Sequence, residues 1–505
     1  MKILSVPQLK NVDALTVERQ EITSHDLMER VAGECMGAIF CHVDQDEEVV
    51  VFCGMGNNGG DGLAIARLLF KWHAAVRVVL VKHKDKFTPD TQKNLDKLPA
   101  ALKQNLLVIE KEEDLKKIKL RPKSVIIDAL LGTGVNKPVD GILKKVIAQI
   151  NMHPSKIISI DTPSGLLMDD SSQEFIESCV HADLVLTLQL PKLAFLLPDN
   201  KHVVNEFKII DVGFDKRAIL EQESSFYFMQ KSDILPLIRP RNTFSHKGLF
   251  GHALLLAGSK GKTGAAIIAA ESCLRSGAGL LTVHSVDKVT NALAIRLPEA
   301  MTSTDGFDNH ITHFDNFSKY SVIGFGPGVG KHMDTQQVLK SIIYQHQGHL
   351  VIDADGLNIL AENKTWLEFL PKETILTPHP KEFERLVGSF SNSFERLDKA
   401  RHFAARHQCI LVLKDAFTHI CMPDGSVVFN STGNPGLAKG GSGDCLTGII
   451  VGLLARGYTP AKAALIGVYV HGLAADLCAK KMSEESILIS DVIQKLPVAF
   501  KRLTK

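Results

Sequence analysis

Short runs of β-branched and aliphatic residues recur along this chain, most of them followed by a stretch with helical spacing. In the first half the runs are Val49–Cys53, Val76–Val81, Val125–Ile127, Ile157–Ile160, Leu184–Leu188 and Phe207–Ile210. They are continuously apolar rather than alternating, so both faces of each strand must be covered. Strands of that kind, separated by helices such as Asp61–Lys71 and Asp140–Ile150, predict a parallel sheet between two helical layers. The rhythm lapses between Val212 and Phe244, where Gly213, Pro236 and Pro240 punctuate a polar segment. A second series then runs through Gly251–Ala257, Leu280–His284, Val322–Phe325, Val351–Asp353, Ile375–Thr377 and Ile410–Lys414, with a hairpin expected over Thr418–Phe429. At 505 residues the chain is long enough for two such units. The expected fold is therefore α/β, with domains 1–220 and 221–505.

Charge and cysteine usage narrow the function. Fifty-eight basic against 56 acidic side chains leave a formal charge of +2, without the basic field that a nucleic-acid binder needs. The nine cysteines are scattered and form no Cys-x-x-Cys pair, which fits a reducing compartment rather than a disulfide framework. The amino terminus has no signal-peptide pattern, and apolar stretches such as Leu446 to Ala455 fall short of the ~18 residues of a membrane span. The expectation is a cytoplasmic protein with neither a nucleic-acid nor a membrane partner.

Three turns in the first half carry polar groups at strand ends. Gly54, Gly56 and Gly59 fit the G-x-G-x-x-G spacing that lets a helix amino terminus meet a pyrophosphate. A dinucleotide reader of the ordinary kind also wants an acid some twenty residues on; here the next strand ends Val81-Lys82-His83-Lys84. Asp128 with Gly132-Thr133-Gly134, and Asp161 with Thr162-Pro163-Ser164-Gly165, close two further strands. Each aspartate alone reads equally as a turn cap; three such turns together favour one ligand crevice at the carboxyl ends of the strands.

The second half is more specific. Gly433 to Ile450 leads glycine-rich backbone into an apolar helix that starts near Asp444. Amide groups at such a terminus suit a transferring phosphoryl group. A carboxylate there would repel phosphate, unless it takes the proton of the attacking hydroxyl. Asp444 as a simple N-cap is the alternative, and leaves the glycines around it unexplained. Gly258-Ser259-Lys260-Gly261-Lys262-Thr263 imitates a P-loop, but Leu256 stands where the first glycine should be. Gly324–Gly330, Asp353, Asp355, His379 and Lys414 also lie at strand ends. For the two aspartates, magnesium, substrate hydroxyls and plain caps all remain open, and for the lysine, phosphate or solvent.

Three features together carry a resemblance to one family: Gly56 to Asp61 with Asp161 to Gly165, then Ser245-His246-Lys247-Gly248, then Asn434-Pro435-Gly436 through Gly440–Asp444. The chain resembles the bifunctional NAD(P)H-hydrate repair enzymes over nearly its whole length, and its second half resembles the ribokinase superfamily. The resemblance implies a Rossmann-like three-layer first domain that epimerises the R and S hydrates of NADH and NADPH (NADHX and NADPHX). It implies a ribokinase-like three-layer second domain that dehydrates the S form with ADP and Mg2+, or with ATP as in eukaryotic relatives. Carried onto this sequence, Asn57, Asn58, Gly59, Gly60, Asp61, Asp161 and the run Gly132, Thr133, Gly134, Val135, Asn136, Lys137 and Pro138 would hold the hydrate. Asn58, Asp128 and Ser164 would ligate K+, and Asp161 would also move protons. In the second domain Ala253, Gly328, His379 and Asp444 would meet the hydrate, with Asp444 as the base. Lys414, Asp415, Ala416, Phe417, Thr418 and Gly443 would bind the nucleotide, and the assembly would be a homo-oligomer. Lys439 stands where threonine is expected, and would replace it as a point charge on phosphate if that position meets phosphate. The competing readings are a vitamin-precursor or sugar kinase, and a first half that only senses nucleotides.

Overall fold

The computed structural model describes residues 1–73 and 75–504. Compactness divides it into two units, one spanning Lys2–Ser224 and the other Ser225–Ser391 with Glu395–Lys505.

In the first unit the helices Val6–Arg19 and Ser24–Phe40 precede the first strand of its sheet, Glu48–Cys53. The sheet order is Leu107–Ile109, Val76–Val81, Glu48–Cys53, Ser124–Ala129, Lys156–Ile160, Ala182–Leu188, Val204–Ile210, and every pairing in it is parallel. Alternate residues of one strand enter different cores. Val49, Val51 and Cys53 pack with the helices Ser24–Phe40 and Asn57–Leu69, whereas Val50 and Phe52 pack with the helix Gly141–Met152. This is the three-layer arrangement that the unbroken apolar runs require.

The second unit repeats the principle. Parallel pairing links His252–Leu256, Leu280–Ser285, Met301–Thr304, Val322–Phe325, His349–Ile352, Ile375–Leu376 and Ile410–Leu413. His419–Cys421 and Val427–Phe429 add the expected antiparallel hairpin. The strand Phe226–Phe228, which lies in the segment read as strandless, pairs in parallel with Val427–Phe429.

The helix Pro460–Ala479 is long and apolar enough to cross a membrane by length and composition, a stretch that the sequence reading passed over. Of its apolar 18-residue window 72% is buried inside the protein, packed into the second unit's core, which accounts for its apolar surface.

The helix Ser442–Ala455 is central to the second unit and is held by close backbone approach. A Cβ on Gly448 would lie 2.1 Å from the Ala269 carbonyl oxygen, and one on Gly452 would lie 2.3 Å from that of Cys273. Both carbonyls belong to the helix Thr263–Arg275. Gly448→Ala is therefore expected to destabilise this unit by about 1–3 kcal/mol, the usual range for overpacking. Denaturant unfolding followed by fluorescence checks it; a midpoint equal to that of the parent chain would contradict the packing account.

Candidate functional sites at the strand ends of each unit

In the first unit the carboxyl ends of the strands open on a cavity of about 730 Å3. Asn57, Asn58, Asp61, the whole run Gly132 to Pro138 and Asp161 line it. Gly59 and Gly60 do not. A Cβ on Gly59 would sit 2.0 Å from the Gly54 carbonyl oxygen, and one on Gly60 would sit 2.7 Å from Met28 Sδ. Their absent side chains let the helix Asn57–Leu69 close onto its neighbours.

Asp13, Asp61 and Asp161 all line the cavity. Burial pushes the Asp61 carboxyl well above the ordinary carboxylate range, and the charges of Asp161 and Asp13 push the same way. Asp13, from the helix Val6–Arg19, is raised by burial and by Asp161. Asp161 adopts φ +65°, a left-handed conformation that few non-glycine residues tolerate. Its Oδ1 accepts a hydrogen bond from Lys192 Nζ at 2.6 Å. Lys192 and Asp13 were both missed in the sequence. Lys192 sits in Leu190-Pro191-Lys192 just beyond a strand, and that position was its one available signal.

Beside the cavity, Asp128 is fully buried. It accepts hydrogen bonds from Ser159 Oγ at 2.8 Å, from Ser164 N and Oγ at 2.9 and 2.6 Å, and from Leu130 N at 3.2 Å. Burial raises its carboxyl above the ordinary value, against those four bonds. Asn58 donates from Nδ2 to the Leu131 carbonyl at 2.9 Å, while its buried Oδ1 has no hydrogen-bond partner. Ser164 Oγ lies 3.2 Å from the same Leu131 carbonyl oxygen, so the orphaned amide oxygen, the serine hydroxyl and Asp128 belong to one bonded group whose oxygens are of the type a hard cation takes.

In the second unit the helix Ser442–Ala455 starts behind Gly441, whose φ of 94° sets the turn, and Asp444 stands in its first turn. Burial raises the Asp444 carboxyl to about 6, with Asp353 adding to the shift and Lys414 opposing it. Asp353 is 1% exposed and accepts from Lys414 Nζ at 2.9 Å and from Thr447 Oγ1 at 2.8 Å. Burial works against its ionisation, but the Lys414 charge and these bonds outweigh it and hold the carboxyl below its ordinary value. Lys414 also lies 3.9 Å from Glu382, so it is neither a solvent lysine nor unpaired. Gly443 borders the pair: a Cβ there would be 3.1 Å from Lys414 Nζ and 3.4 Å from Asp353 Oδ2.

Other expected residues are placed less directly. Asp355 binds Lys262 Nζ at 2.8 Å and the Gly330 amide at 2.8 Å, which ties the P-loop-like turn to the turn that carries Gly328. His379 caps the helix Pro380–Val387, its Nδ1 accepting from the amides of Lys381 and Glu382. Burial lowers its proton affinity, and the charge of Lys414 adds to the shift. Glu382 was missed, although it stands three residues after His379, where the acid of a capping box belongs.

Two expectations meet an obstacle in the geometry, those for Ala253 and Lys439, and that for Asp415 is narrowed to its backbone. Ala253 is fully buried in the core, paired with Leu281 and Val322 near the amino end of its strand, and has no surface to offer a substrate. The Asp415 carboxylate is taken by the buried Arg396 and shapes its loop, so of this residue only the backbone remains for a nucleotide. Lys439 Nζ donates to the backbone carbonyls of Glu485 and Ile487 rather than standing free as a point charge.

Lys439→Ala should consequently cost about 1 kcal/mol of stability, the net worth of such bonds, and leave nucleotide affinity unchanged. Calorimetric titration with ADP and ATP alongside thermal unfolding tests both halves; a tenfold loss of affinity at unchanged stability would restore the phosphate contact.

Residues 24–194 match the family described as YjeF-related protein N-terminus, and residues 253–498 match NAD(P)H-hydrate dehydratase. The bifunctional NAD(P)H-hydrate repair enzyme Nnr of Moorella thermoacetica is 32% identical over 521 residues, spanning 100% of this chain and 97% of its own. The enzyme of the same description from Escherichia coli is 30% identical, over 94% of this chain and 89% of its own. Among solved structures, the ADP/ATP-dependent NAD(P)H-hydrate dehydratase of Bacillus subtilis, co-crystallised with ATP and Mg2+, is 34% identical. It covers 55% of this chain and 98% of its own, with a TM-score of 0.48. With relatives of this identity matched from end to end, the chain belongs to the family of bifunctional NAD(P)H-hydrate repair enzymes.

Proposed function

We propose that the chain restores hydrated NADH and NADPH in two steps, with the first unit interconverting the R and S hydrates and the second dehydrating the S form at the expense of ADP or ATP. The observation that carries the reading is Asp444. It is a carboxylate of raised proton affinity in the first turn of a helix whose free amides favour an anion, beside the Lys414–Asp353 pair. A binding site for phosphate alone has no use for an acid there. A site that deprotonates a hydroxyl as it attacks phosphorus does.

The ring hydroxyl of the hydrate is a poor leaving group. Asp444 takes its proton, the oxygen attacks the terminal phosphorus, and the bond to the departing nucleotide breaks. Phosphate then leaves the ring carbon with its bonding pair, and the ring nitrogen's lone pair forms a double bond to that carbon. Loss of a proton from the adjacent carbon to the phosphate completes the reduced nicotinamide. Lys414 and Gly443 border the phosphoryl position, and Gly328 and His379 border the hydrate. When bound with the nucleotide, Mg2+ neutralises charge on the phosphate oxygens.

In the first unit Asp161 and Asn57 face the hydrate from the cavity wall. Asn58 Oδ1, Asp128 and Ser164 are the oxygens that would hold K+, which would supply a fixed positive charge beside the cavity. The nucleotide loop Ala416 to Thr418 keeps the part that the family pattern implies. The domain limits of 1–220 and 221–505, the cytoplasmic address and a homo-oligomeric state belong to the same proposal. A plain kinase with a sensing first half is not favoured, since whole-length relatives are described as bifunctional repair enzymes.

The test uses an R/S mixture of hydrated NADH with Mg2+, K+ and either ADP or ATP, followed by the near-ultraviolet absorbance of the reduced ring. Full recovery is expected; a stable phosphorylated product without recovery would return the kinase reading. Asp444→Asn should lower dehydration by about 100-fold or more. The active form of Asp444 is the ionised one, present above its proton affinity of about 6 and lost as pH falls through it. The dehydration rate should therefore drop roughly tenfold per pH unit on the acid side of that point. A rate flat from pH 7 down to pH 5 would remove Asp444 as the base.

A further inference from the structure

Lys192 is almost wholly buried, with 2% of its surface exposed. Its Nζ lies 2.6 Å from Asp161 Oδ1, 2.8 Å from Thr187 Oγ1 and 3.2 Å from the Leu188 carbonyl oxygen. An ammonium group has three protons, and these three acceptors take them all. It therefore has none to pass to a substrate without first breaking a buried bond. Asp161 Oδ1 also accepts from the Leu188 amide at 3.3 Å. Among the described residues no hydrogen bond is made to Oδ2, and Asp161 lines the cavity.

The surroundings explain why such a clamp is needed. Facing Asp161 are Asp13 from the helix Val6–Arg19, Cys35 from Ser24–Phe40 and Asp61 from Asn57–Leu69, all of which feel its charge. Lys192 is the cation bonded to it, from the turn beyond Ala182–Leu188. The left-handed backbone of Asp161 also carries a cost on the order of 1 kcal/mol for a residue with a Cβ. The bonds from Lys192 and Leu188 to Oδ1 hold the side chain in place against it.

We propose that Lys192 is a positioning residue for epimerisation: it pins Oδ1 of Asp161 and balances its charge, so that Oδ2 faces the cavity as the group that takes the substrate's hydroxyl proton. As it does so, the bond from that carbon to the ring nitrogen breaks, its electron pair going to nitrogen to leave an aldehyde. Oδ2 returns the proton as nitrogen recloses on the other face of the carbonyl. Lys192 itself exchanges no proton with the substrate. The proposal rests on the epimerase reading of this cavity.

The experiment uses the full chain without nucleotide, starting from the pure R hydrate and following appearance of the S form by chromatography between pH 5 and pH 9. Lys192→Gln removes the charge but keeps a hydrogen-bond donor; Lys192→Arg keeps the charge. With the charge gone, the acid limb of kcat/KM should move up by at least about one pH unit, so that activity lost at neutral pH returns in alkali. The arginine variant should keep the limb within a few tenths of a unit of the parent. Amide hydrogen exchange of the strand Lys156–Ile160, compared with the parent, reports whether the first unit is folded in each variant. A folded glutamine variant that loses activity at every pH with the limb unmoved would overturn the proposal. So would loss of an alkaline limb that the parent shows, since that would make Lys192 an acid. Should the glutamine variant misfold, the arginine variant decides: a displaced limb there counts against the clamp, and a retained one supports it. A parent chain that does not interconvert the hydrates at all would instead sink the epimerase reading.

Discussion

Parallel pairing is the constraint on which both sites depend. Every strand of a parallel sheet points the same way, so the turns that leave their carboxyl ends share one edge however far apart they are in the chain. In the first unit this brings Gly56, Asp128 and Asp161 into one neighbourhood, each from a different strand end. In the second it gathers Asp353, His379 and Lys414 around the start of a helix that comes much later. The arrangement demands glycine where backbone meets backbone. A Cβ on Gly54 would fall 1.9 Å from the Leu130 carbonyl oxygen, and one on Gly326 would fall 1.8 Å from that of Asp353. These glycines are conditions for the strand ends to converge, before any ligand is considered.

The two units then solve a similar electrostatic problem. A carboxylate removed from water must be paired or protonated. In each unit one aspartate is paired with a buried or nearly buried lysine, Asp161 with Lys192 and Asp353 with Lys414. In each, a neighbouring aspartate lacks such a partner and is driven towards its protonated form, Asp61 in one and Asp444 in the other. A lysine thus stands against one carboxylate in each unit, while burial raises the proton affinity of the neighbour that lacks one, to about 6 for Asp444. Lysine is suited to such a pairing because a compact ammonium can saturate three acceptors at once.

Much of the fold was legible because it follows from local composition. Unbroken apolar runs such as Val49–Cys53 can only be strands covered on both faces, and the expected hairpin at Thr418–Phe429 appears as antiparallel strands. Phe226–Phe228 was not legible, since a short strand among prolines and charges owes its state to the partner Val427–Phe429 rather than to its own pattern. At the sites, residues in glycine-rich turns were found because those turns announce themselves. Lys192, Asp13 and Glu382 were not, because a charged residue outside a motif looks the same whether it is solvated or buried. Ala253, Asp415 and Lys439 show the converse. Each lies where a site was expected, but depth in the core, Arg396, and the carbonyls of Glu485 and Ile487 had already claimed them. Spacing along the chain tells which turn a residue is on. It does not tell which partner reaches it first.

The position of Asp444 sets two influences against each other. A helix amino terminus favours a negative charge and lowers a carboxyl's proton affinity by a modest amount. Burial and the charge of Asp353 raise it, and here they win, to about 6. A base of that strength is still ionised by about ten to one at pH 7, so little is lost in the fraction ready to act. It is nevertheless a stronger base than a solvated aspartate, and proton transfer from a weakly acidic hydroxyl gains accordingly. Stronger burial would leave the group protonated at neutral pH; more exposure would return it to the range of an ordinary carboxylate. The balance depends on Lys414, which opposes the shift while its own charge is largely engaged by Asp353. Removing either partner of that pair would thus change the base without touching it.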